Sequence, residues 1–310
     1  TESELPDPVP GPGEVLIDVA AAGVNRADVL QRQGHYPPPP GAPAWPGHEC
    51  SGVIGAVGPG VEGWAVGERV AALLDGGGYA ARVTTGVGTL LRVPEHLDLV
   101  DAAALPESVC TAWSNLVTAG GLRAGQIALI HGGSGGIGTT AIQLALARGA
   151  RVAVTAGGPD RVARCLELGA QIGIDHRSED FVAALRTATD GHGADVILDV
   201  VGAAYLHRNL EALAPDGRLV VIGLQKGRRA ELDLGLLLAR RASIHGTTLR
   251  PRPASQKAAI VADVAAHAWP LLADGRLRPV VHAYLPLADA ARAHELLESG
   301  AAFGKVLLTP

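Results

Sequence analysis

The sequence predicts an α/β protein in which a doubly wound parallel sheet is inserted into a mainly β domain. Three observations lead to this fold class: the length of 310 residues, short β-like runs before residue 105, and alternating strands and helices after it. A chain of this length exceeds the usual size of one hydrophobic core, so we expect two domains. A content of 47% hydrophobic and 18% charged residues is typical of a well-packed globular protein.

The first hundred residues alternate short β-like runs with turns rich in glycine and proline, such as those at residues 10–13 and 75–78. The runs predicted as strands are residues 14–19, 50–57, 68–73 and 79–83. Short, closely spaced strands with such turns indicate a compact, mainly antiparallel β domain.

From about Leu105 the pattern changes to strands that alternate with helices. The predicted strands are residues 127–131, 151–155, 172–174, 195–200, 218–223 and 243–246. The predicted helices are residues 137–148, 159–168, 179–189, 204–213 and 232–240. Six strands separated by helices describe a doubly wound parallel sheet whose strands are covered on both faces.

The chain after Pro251 contains too few elements for a domain of its own. The elements predicted there are helix 254–272, strand 279–285, helix 288–298 and strand 305–309. We therefore expect this segment to return to the first domain. The resulting domains are residues 1–105 with 250–310, and residues 106–249.

Charge and cysteine content exclude several functions. A net charge of −5 without a basic stripe argues against nucleic-acid binding. Cys50, Cys110 and Cys165 are widely separated, so they build neither a disulfide framework nor a cysteine zinc lobe, and they fit a reducing compartment. Since no apolar stretch is long enough to span a membrane and residues 1–4 show no signal pattern, we expect a cytoplasmic protein.

A glycine-rich run, HGGSGGIG at residues 131–138, lies between the first predicted strand of the parallel sheet and the next helix. It fits both GxGxxG and GxxGxxG. Pyrophosphate must approach free backbone N–H groups at a helix N-terminus, where a Cβ would block it. We predict a dinucleotide-binding loop formed by Gly132, Gly133, Ser134, Gly135, Gly136, Ile137 and Gly138. The alternative is a turn in which glycine serves only close packing.

The end of the second strand of this sheet favours NADPH over NADH. NAD-selective sites carry an acidic residue there, about 20 residues beyond the loop. This sequence instead has Thr155, Gly157 and Gly158, with Arg161 close behind. An arginine there can bind the 2′-phosphate of NADPH. The alternative is that Arg161 and Arg164 belong to a solvated helix face.

Motifs along almost the whole chain resemble the medium-chain dehydrogenase/reductase superfamily, and within it the zinc-free NADPH:quinone oxidoreductases. They are VNRADVLQRQGHY (24–36), the GHExxG-type run (47–52), VGPGVEGWAVGERV (57–70), HGGSGGIGTTAIQLA (131–145), TAGGPDR (155–161), TTLRPR (247–252) and FGKVLL (303–308). The resemblance implies a GroES-like catalytic domain made of both chain ends, an inserted Rossmann domain and a cleft between them. It also implies a homodimer formed through the edge strand at residues 243–248.

The resemblance further implies site residues. Asn25 is expected to hydrogen-bond either the substrate oxygen or the nicotinamide ribose, and Tyr36 is expected to donate to the substrate oxygen. Asp28 is expected to orient their loop. The alternatives are helix-capping roles for Asn25 or Asp28 and a surface-packed Tyr36. The other residues implied around the cofactor are Thr111, His176, Gly223, Leu249, Gly304 and Lys305. Gly158 and Arg161 stand where the family usually has serine and lysine, so the phosphate site stays basic but loses a hydroxyl.

We predict no metal. Zinc-dependent members of the superfamily bind the ion with Cys, His and Cys, whereas the matching residues here are Asn25, His48 and Glu107. The four-cysteine structural lobe is also absent between Val70 and Tyr79. The alternatives for His48 are a weak metal site with Asn25 and Glu107, or a plain hydrogen-bonded histidine.

Together these residues predict an NADPH-dependent oxidoreductase that transfers hydride to a quinone. Reduction places negative charge on a carbonyl oxygen, which hydrogen-bond donors stabilise. Reduction of an α,β-unsaturated carbonyl (enone or alkenal) would use the same donors, so the sequence leaves both substrates open. The other hypotheses are a low-turnover NADPH-binding regulatory protein and a zinc alcohol dehydrogenase, which the missing thiolates disfavour.

Overall fold

A computed structural model describes residues 3–310; Thr1 and Glu2, which begin the segment predicted to lack a signal pattern, lie outside the described residues. The strands are β1 (Glu14–Val24), β2 (Glu49–Val57), β3 (Arg69–Leu73), β4 (Arg82–Gly86), β5 (Leu90–Arg92), β6 (Ile127–His131), β7 (Arg151–Ala156), β8 (Ile172–Asp175), β9 (Ala194–Asp199), β10 (Leu213–Val221), β11 (Ser243–Gly246), β12 (Val281–Pro286) and β13 (Lys305–Thr309). The α-helices are α1 (Arg26–Arg32), α2 (Leu99–Ala102), α3 (Pro106–Trp113), α4 (Gly136–Ala147), α5 (Pro159–Glu167), α6 (Phe181–Ala188), α7 (Leu206–Ala212), α8 (Leu234–Arg240), α9 (Ala254–His267) and α10 (Ala290–Glu298).

Contacts divide the chain into two compact units. Unit 1 combines the chain up to Cys110 with Leu249–Pro310, and unit 2 comprises Thr111–Thr248. The first boundary lies inside α3, whereas the sequence analysis places it just before that helix, after residue 105. A sequence pattern marks where a helix begins, but it does not show which unit each turn of that helix packs against.

Unit 1 is built on a mainly antiparallel sheet of seven strands. Six of them follow the order β12-β13-β1-β2-β3-β5, and β4 pairs with the N-terminal half of β1. Strand β13 pairs antiparallel with β1, with Val306 opposite Val24, so the last strand of the chain lies in the sheet of the first. Along a strand every second side chain points to the same face, as the period of a β-strand requires. Ile17, Ile54 and Val70, from three different strands, thus share one core.

Unit 2 contains the doubly wound parallel sheet that the sequence predicts. Its six strands are parallel and follow the order β11-β10-β9-β6-β7-β8. The chain winds from β6 to one edge and then from β9 to the other, so the winding direction reverses next to β6. In such sheets ligands bind at the carboxyl ends of the strands beside this reversal. The predicted fold class is confirmed.

His131, the last residue of β6, belongs to a buried polar network in unit 2. Its Nδ1 lies 3.0 Å from the Thr155 hydroxyl, and its Nε2 lies 2.7 Å from Asn209 Oδ1. The rings of Phe181 and Tyr205 contact it edge-on, with centroids 4.9 and 5.0 Å away. Burial lowers the pKa of His131 to about 4, so the ring is neutral at pH 7. The network anchors the backbone from which the glycine-rich loop leaves the sheet.

Several predicted elements differ from the structure in their bounds. Strand β1 runs to Val24 instead of ending at residue 19, and β10 begins at Leu213 instead of residue 218. Two further differences have a local physical reason. The strand predicted at 79–83 starts later, as β4, because the N–H of Tyr79 closes a turn with the carbonyl of Pro46. The helix predicted at 254–272 ends at His267 and is followed by a 3₁₀ turn, Trp269–Leu272, because Pro270 has no N–H to continue an α-helix. None of the helices in residues 3–310 combines the length and the apolar character needed to cross a membrane.

Candidate active site and cofactor-binding residues

The glycine-rich loop joins β6 to α4 in unit 2. Gly135 is the N-cap residue of α4, and the N–H groups of the first turn have no acceptor within the helix. Gly132 has a φ of +71°, and a Cβ on Gly138 would stand 2.2 Å from the Gly132 carbonyl oxygen. A Cβ on Gly133 would stand 2.8 Å from a side chain of β7. The loop therefore needs these glycines, and its open N–H groups fit a pyrophosphate.

Basic side chains gather at the end of β7. Arg161, from α5, donates from Nη1 to the Gly157 carbonyl at 3.3 Å. A Cβ on Gly157 would stand 3.1 Å from Arg177 Nε and 3.2 Å from His176 Nε2. Three cationic or titratable groups thus surround one glycine, and they can hold a phosphate next to it.

Asp175 and Thr155 also lie at this strand end. Their side chains are engaged in hydrogen bonds within the protein. The Asp175 carboxylate accepts the Gly158 N–H at 2.8 Å, and this bond is the main reason that its pKa is lowered. The Thr155 hydroxyl is buried against His131, while its carbonyl accepts the N–H of Gly133 at 3.0 Å. In this structure Thr155 therefore positions the glycine loop.

The remaining residues implied around the cofactor fall in both units. Thr111 is buried in α3 at the start of unit 2, and Gly223 follows β10, where a Cβ would stand 2.8 Å from a backbone oxygen. Leu249, Gly304 and Lys305 belong to unit 1. Gly304 has a φ of +85°, and a Cβ there would stand 2.1 Å from a backbone oxygen, so only glycine fits.

The loop before α1 is fixed by Asp28. Asn25 is the N-cap residue of α1, and Asp28 accepts the N–H groups of Asn25 and Gly47, each at 2.7 Å. His48 Nδ1 lies 3.2 Å from Asp28 Oδ1. Burial raises the pKa of Asp28. The Asp28 carboxylate thus has the predicted capping contact and also bonds to Gly47, while its role in orienting a substrate site stays a prediction.

A buried ion pair lies beside Asn25. Lys305 Nζ donates to the Glu49 carboxylate and, at 2.7 Å, to Asn25 Oδ1, while Asn25 Nδ2 donates to Glu49 Oε1 at 2.7 Å. The second Glu49 oxygen accepts the N–H of Glu107 at 2.8 Å. A Cβ on Gly23 would stand 2.3 Å from Glu49 Oε1, so glycine leaves the space that the carboxylate fills. Both ends of the Asn25 amide are engaged in this cluster.

Tyr36 lies half-buried beside His48 and Arg250. The Tyr36 and His48 rings meet edge-on with centroids 6.2 Å apart, and Arg250 Cζ lies 5.4 Å from the centroid of the Tyr36 ring. Burial raises the pKa of Tyr36 to about 12 and lowers the pKa of His48 to about 3. At neutral pH the phenol is therefore protonated and the imidazole is uncharged.

The similarity to known proteins agrees with this architecture. A family described as alcohol dehydrogenase GroES-like domain matches residues 11–119, and one described as zinc-binding dehydrogenase matches residues 136–263. The quinone oxidoreductase of Rattus norvegicus is 32% identical over 99% of this chain and 92% of its own length. The chain belongs to the medium-chain dehydrogenase/reductase family. It is an oxidoreductase of that family, as the sequence predicts.

Several other known proteins are also similar. A mycocerosic acid synthase-like polyketide synthase of Mycobacterium tuberculosis is 35% identical over 96% of this chain, but the chain spans only 14% of that protein. The structure of Escherichia coli quinone oxidoreductase complexed with NADPH superposes with a TM-score of 0.89 at 29% identity, covering 100% of this chain and 95% of the other. The structure of the CurK enoyl reductase gives a TM-score of 0.87 at 27% identity, covering 99% and 94%.

The residues of this medium-chain dehydrogenase/reductase do not fit zinc. The Asn25 oxygen accepts a hydrogen bond from the Lys305 ammonium group, a fixed cation at the first of the matching ligand positions. Within residues 3–310, no three His, Cys, Asp or Glu side chains are placed to hold a metal ion. Burial raises the pKa of the Cys50 and Cys110 thiols, so neither is a ready thiolate ligand. The weak Asn25, His48 and Glu107 site gains no support, and the prediction of no metal stays a prediction.

Three residues of these sites were not predicted to take part in them. Arg177 follows β8 directly, so the predicted strand there could have pointed to it. Glu49 stands in the GHExxG-type run, but its partner Lys305 is 256 residues away, which no local pattern reveals. Arg250 lies in the TTLRPR run, where the sequence gives no sign of its contact with Tyr36.

Proposed function

We propose that the chain reduces quinones with NADPH. The observation that supports this most is the similarity to quinone oxidoreductases over the full length of both chains, including the Rattus norvegicus protein at 32% identity. A quinone oxidoreductase of this fold has been described in complex with NADPH. The glycine loop and the basic strand end of unit 2 supply the two features that such a coenzyme needs.

Two groups of residues are proposed to bind different phosphates of NADPH. Within Gly132 to Gly138 the N–H groups of Gly133 and Gly135 are already bonded to backbone carbonyls, and the other N–H groups of the loop would bind the pyrophosphate. Arg161 and Arg177 would bind the 2′-phosphate. His176 precedes Arg177, and its ring lies near Gly157. Burial, with the positive charges of Lys226 and Arg177, lowers its pKa, so it would act as a neutral donor at pH 7. When bound, NADPH supplies the hydride.

Tyr36 is proposed as the hydrogen-bond donor to the substrate oxygen. Its phenol keeps its proton across the physiological pH range, so it can donate to an oxygen that gains negative charge. Asn25 already donates to Glu49, and we propose that it acts with Asp28 by fixing the loop that precedes Tyr36. This arrangement uses hydrogen bonding and orientation, without a nucleophile or a metal ion.

A second candidate is reduction of an α,β-unsaturated carbonyl compound. The superposition on the CurK enoyl reductase favours it, as does the 35% identity to a segment of a polyketide synthase. In an enone the electron pair displaced by hydride moves onto the carbonyl oxygen, where Tyr36 would donate as it does to a quinone. The two candidates share all the residues proposed above and differ in the substrate alone.

Turnover with a substrate panel separates these functions. We would follow NADPH absorbance with a benzoquinone, a naphthoquinone and a 2-alkenal, and expect the quinones to give the higher kcat/KM. Tyr36→Phe should lower kcat/KM about tenfold or more, because the lost hydrogen bond faces a developing charge. A higher kcat/KM for the alkenal would make the chain an enone reductase. Tight NADPH binding in calorimetry without oxidation across the panel would identify the low-turnover binding protein.

We also propose that the protein is a homodimer through the β11 edge of unit 2. Strand β11 ends the sheet, so one side of its backbone is unpaired there, and α8 beside it exposes 62% of Leu234 and 75% of Leu238. An open strand edge with apolar neighbours is suited to pairing with a second copy. Light scattering should give twice the chain mass, and Leu238→Glu should give the monomer. A wild-type monomer at micromolar concentration would refute the dimer.

A further inference from the structure

Arg250 is a buried arginine whose role is not apparent from the sequence motifs. Only 6% of the residue is exposed. Nε donates to the Asp75 carbonyl at 2.6 Å and Nη1 to the Tyr36 carbonyl at 3.4 Å, while Nη2 finds no acceptor in residues 3–310. An arginine stays charged at all physiological pH values, and burying its charge is costly without a compensating partner. A guanidinium kept in such a place requires an explanation.

The surroundings of Arg250 are built to hold it. Lys257 Nζ donates to the Asp75 carboxylate and, at 3.4 Å, to the Arg250 carbonyl, so α9 supports both sides of the contact. Gly76 has a φ of +148°, and a Cβ there would stand 3.3 Å from Arg250 Nη2. The turn after Asp75 therefore uses glycine where the guanidinium passes. Its nearest aromatic neighbour is Tyr36.

Arg92, also in unit 1, is an arginine with only a packing role, and its contacts can be compared with those of Arg250. Arg92 Cζ lies 4.0 Å from the centroid of the Trp64 ring, and its Nη2 lies 3.1 Å from Glu68 Oε2. The charge of Arg92 is thus neutralised by a carboxylate at the surface. The hydrogen bonds of Arg250 go to backbone carbonyls instead. The carboxylates of Asp28, Asp75 and Glu107 act on its charge without a direct ion pair.

We propose that Arg250 is a positioning residue for Tyr36: it fixes the Tyr36 backbone, and its positive charge strengthens the hydrogen bond that the Tyr36 hydroxyl donates to the substrate oxygen. The inference rests on the proposed function, because that function makes Tyr36 the substrate donor. A cation beside a phenol draws electron density from the O–H bond and stabilises negative charge around its oxygen. Glu107 and Asp75 face Tyr36 with the opposite effect, and His48 is neutral.

The chemical step keeps every proton of these two side chains in place. The substrate gains a hydride from NADPH and a proton from water, which gives a hydroquinone or a saturated carbonyl compound and leaves NADP⁺. Between these events the substrate oxygen carries the displaced electron pair. The Tyr36 hydroxyl donates to that oxygen, and Arg250 supplies positive charge behind it.

The acidity of Tyr36 measures this effect without any turnover. The chain has four tyrosines, so we would incorporate 3,5-difluorotyrosine and follow its ¹⁹F signals against pH, assigning Tyr36 through Tyr36→Phe. Fluorine makes the phenol more acidic, which brings its titration to a lower pH. Arg250→Gln keeps a donor for the Asp75 carbonyl but removes the charge. We expect it to raise the pKa of this phenol by about one or more.

Two control variants make the titration decisive. Arg92→Gln removes a second ring-stacked arginine of unit 1 and should leave the Tyr36 titration unchanged. An unchanged titration in Arg250→Gln overturns the proposal. If that variant does not fold, Arg250→Met takes its place: it keeps a long side chain without the charge, so a raised pKa supports the proposal and an unchanged one overturns it.

Steady-state kinetics with the quinone panel completes the test. Arg250→Gln should lower kcat about tenfold, leave NADPH affinity within about twofold, and be partly rescued in Arg250→Lys. A wild type that oxidises no NADPH refutes the proposed function, and the ¹⁹F titration then still decides whether Arg250 controls Tyr36. A wild type that turns over quinones, with the Tyr36 pKa and kcat unchanged in Arg250→Gln, refutes the role of Arg250 alone.

Discussion

The glycine loop of unit 2 and the ion-pair cluster of unit 1 were visible in the sequence to very different degrees. The loop lies within seven consecutive residues, and its role follows from the spacing of its glycines between a strand and a helix. The cluster of Asn25, Glu49 and Lys305 is joined by hydrogen bonds that span 24, 256 and 280 residues. Spacing along the chain reveals the first kind of site and conceals the second.

The difference has a physical origin. A phosphate site at a helix N-terminus is made of backbone groups, so its requirements appear as the local absence of Cβ atoms. A buried ion pair is made of side chains that meet only when β13 pairs with β1 and β1 pairs with β2. Local sites should therefore fail through loss of ligand binding, and long-range sites through loss of stability.

The largest expected effect is the loss of one partner of the buried pair. Glu49→Gln leaves the Lys305 ammonium buried without its counter-charge, and we expect a loss of about 3–5 kcal/mol in the free energy of unfolding. Urea unfolding of the wild type and the variant at pH 7 measures it. Lys305→Met should cost a similar amount.

The double variant Glu49→Gln/Lys305→Met is the matched control. It removes both charges, so it should be more stable than either single variant, with a coupling free energy of about 2 kcal/mol or more. Additive losses in the double variant would show that the two charges act independently. Glu49 and Lys305 would then not form a stabilising pair between distant parts of the chain.

The next effect concerns His131, which starts the glycine run but serves the core of unit 2. Its pKa is about 4 in the folded chain and about 6.5 when unfolded, so above pH 6.5 it contributes no pH dependence. As the pH falls from 6.5 to 4 the unfolded chain takes up a proton that the folded chain does not. We expect this group to remove about 3 kcal/mol of stability over that interval.

Urea unfolding at pH 7.0 and pH 4.5, in the wild type and in His131→Gln, isolates this contribution from those of the carboxylates. The variant should be less stable at pH 7.0 but lose less stability on acidification. Parallel losses in the two proteins would mean that His131 does not stay neutral in the folded chain.

A smaller effect is expected from a methyl group in the glycine loop. Gly138→Ala places a Cβ 2.2 Å from the Gly132 carbonyl oxygen, so the backbone must move and the N–H groups lose their alignment. NADPH affinity, measured by calorimetry, should fall about tenfold to a hundredfold. Gly86→Ala, where nothing lies within 4 Å of the added Cβ, should bind NADPH like the wild type. Undiminished binding in Gly138→Ala would remove the loop from the cofactor site.

The sequence was sufficient for the fold class and for most elements of unit 2, because strands covered on both faces and amphipathic helices each leave a period in the chain. The sequence pattern misplaced β4, because a turn closed by the Tyr79 N–H delays the start of that strand. It also misplaced the end of α9, because a proline stops that helix. It also named Asn25, Asp28 and Tyr36, but the side chains that engage two of them, Glu49 and Arg250, meet them only in the folded chain.

The smallest effect concerns the proposed 2′-phosphate site. This site combines a residue predicted from the sequence with one found only in the structure. Arg161 was predicted from its position after β7, whereas Arg177 was found from its distance to Gly157. Arg161→Ser and Arg177→Ser should each weaken NADPH binding about tenfold and leave NADH binding unchanged, because only NADPH carries the charge that the guanidinium contacts. Arg164→Ser, on the exposed side of α5, should change neither. If Arg161→Ser alone has this effect, the local pattern was sufficient for the phosphate site. Equal effects of both variants would show that even a site built around a local motif is completed by a residue from the next strand.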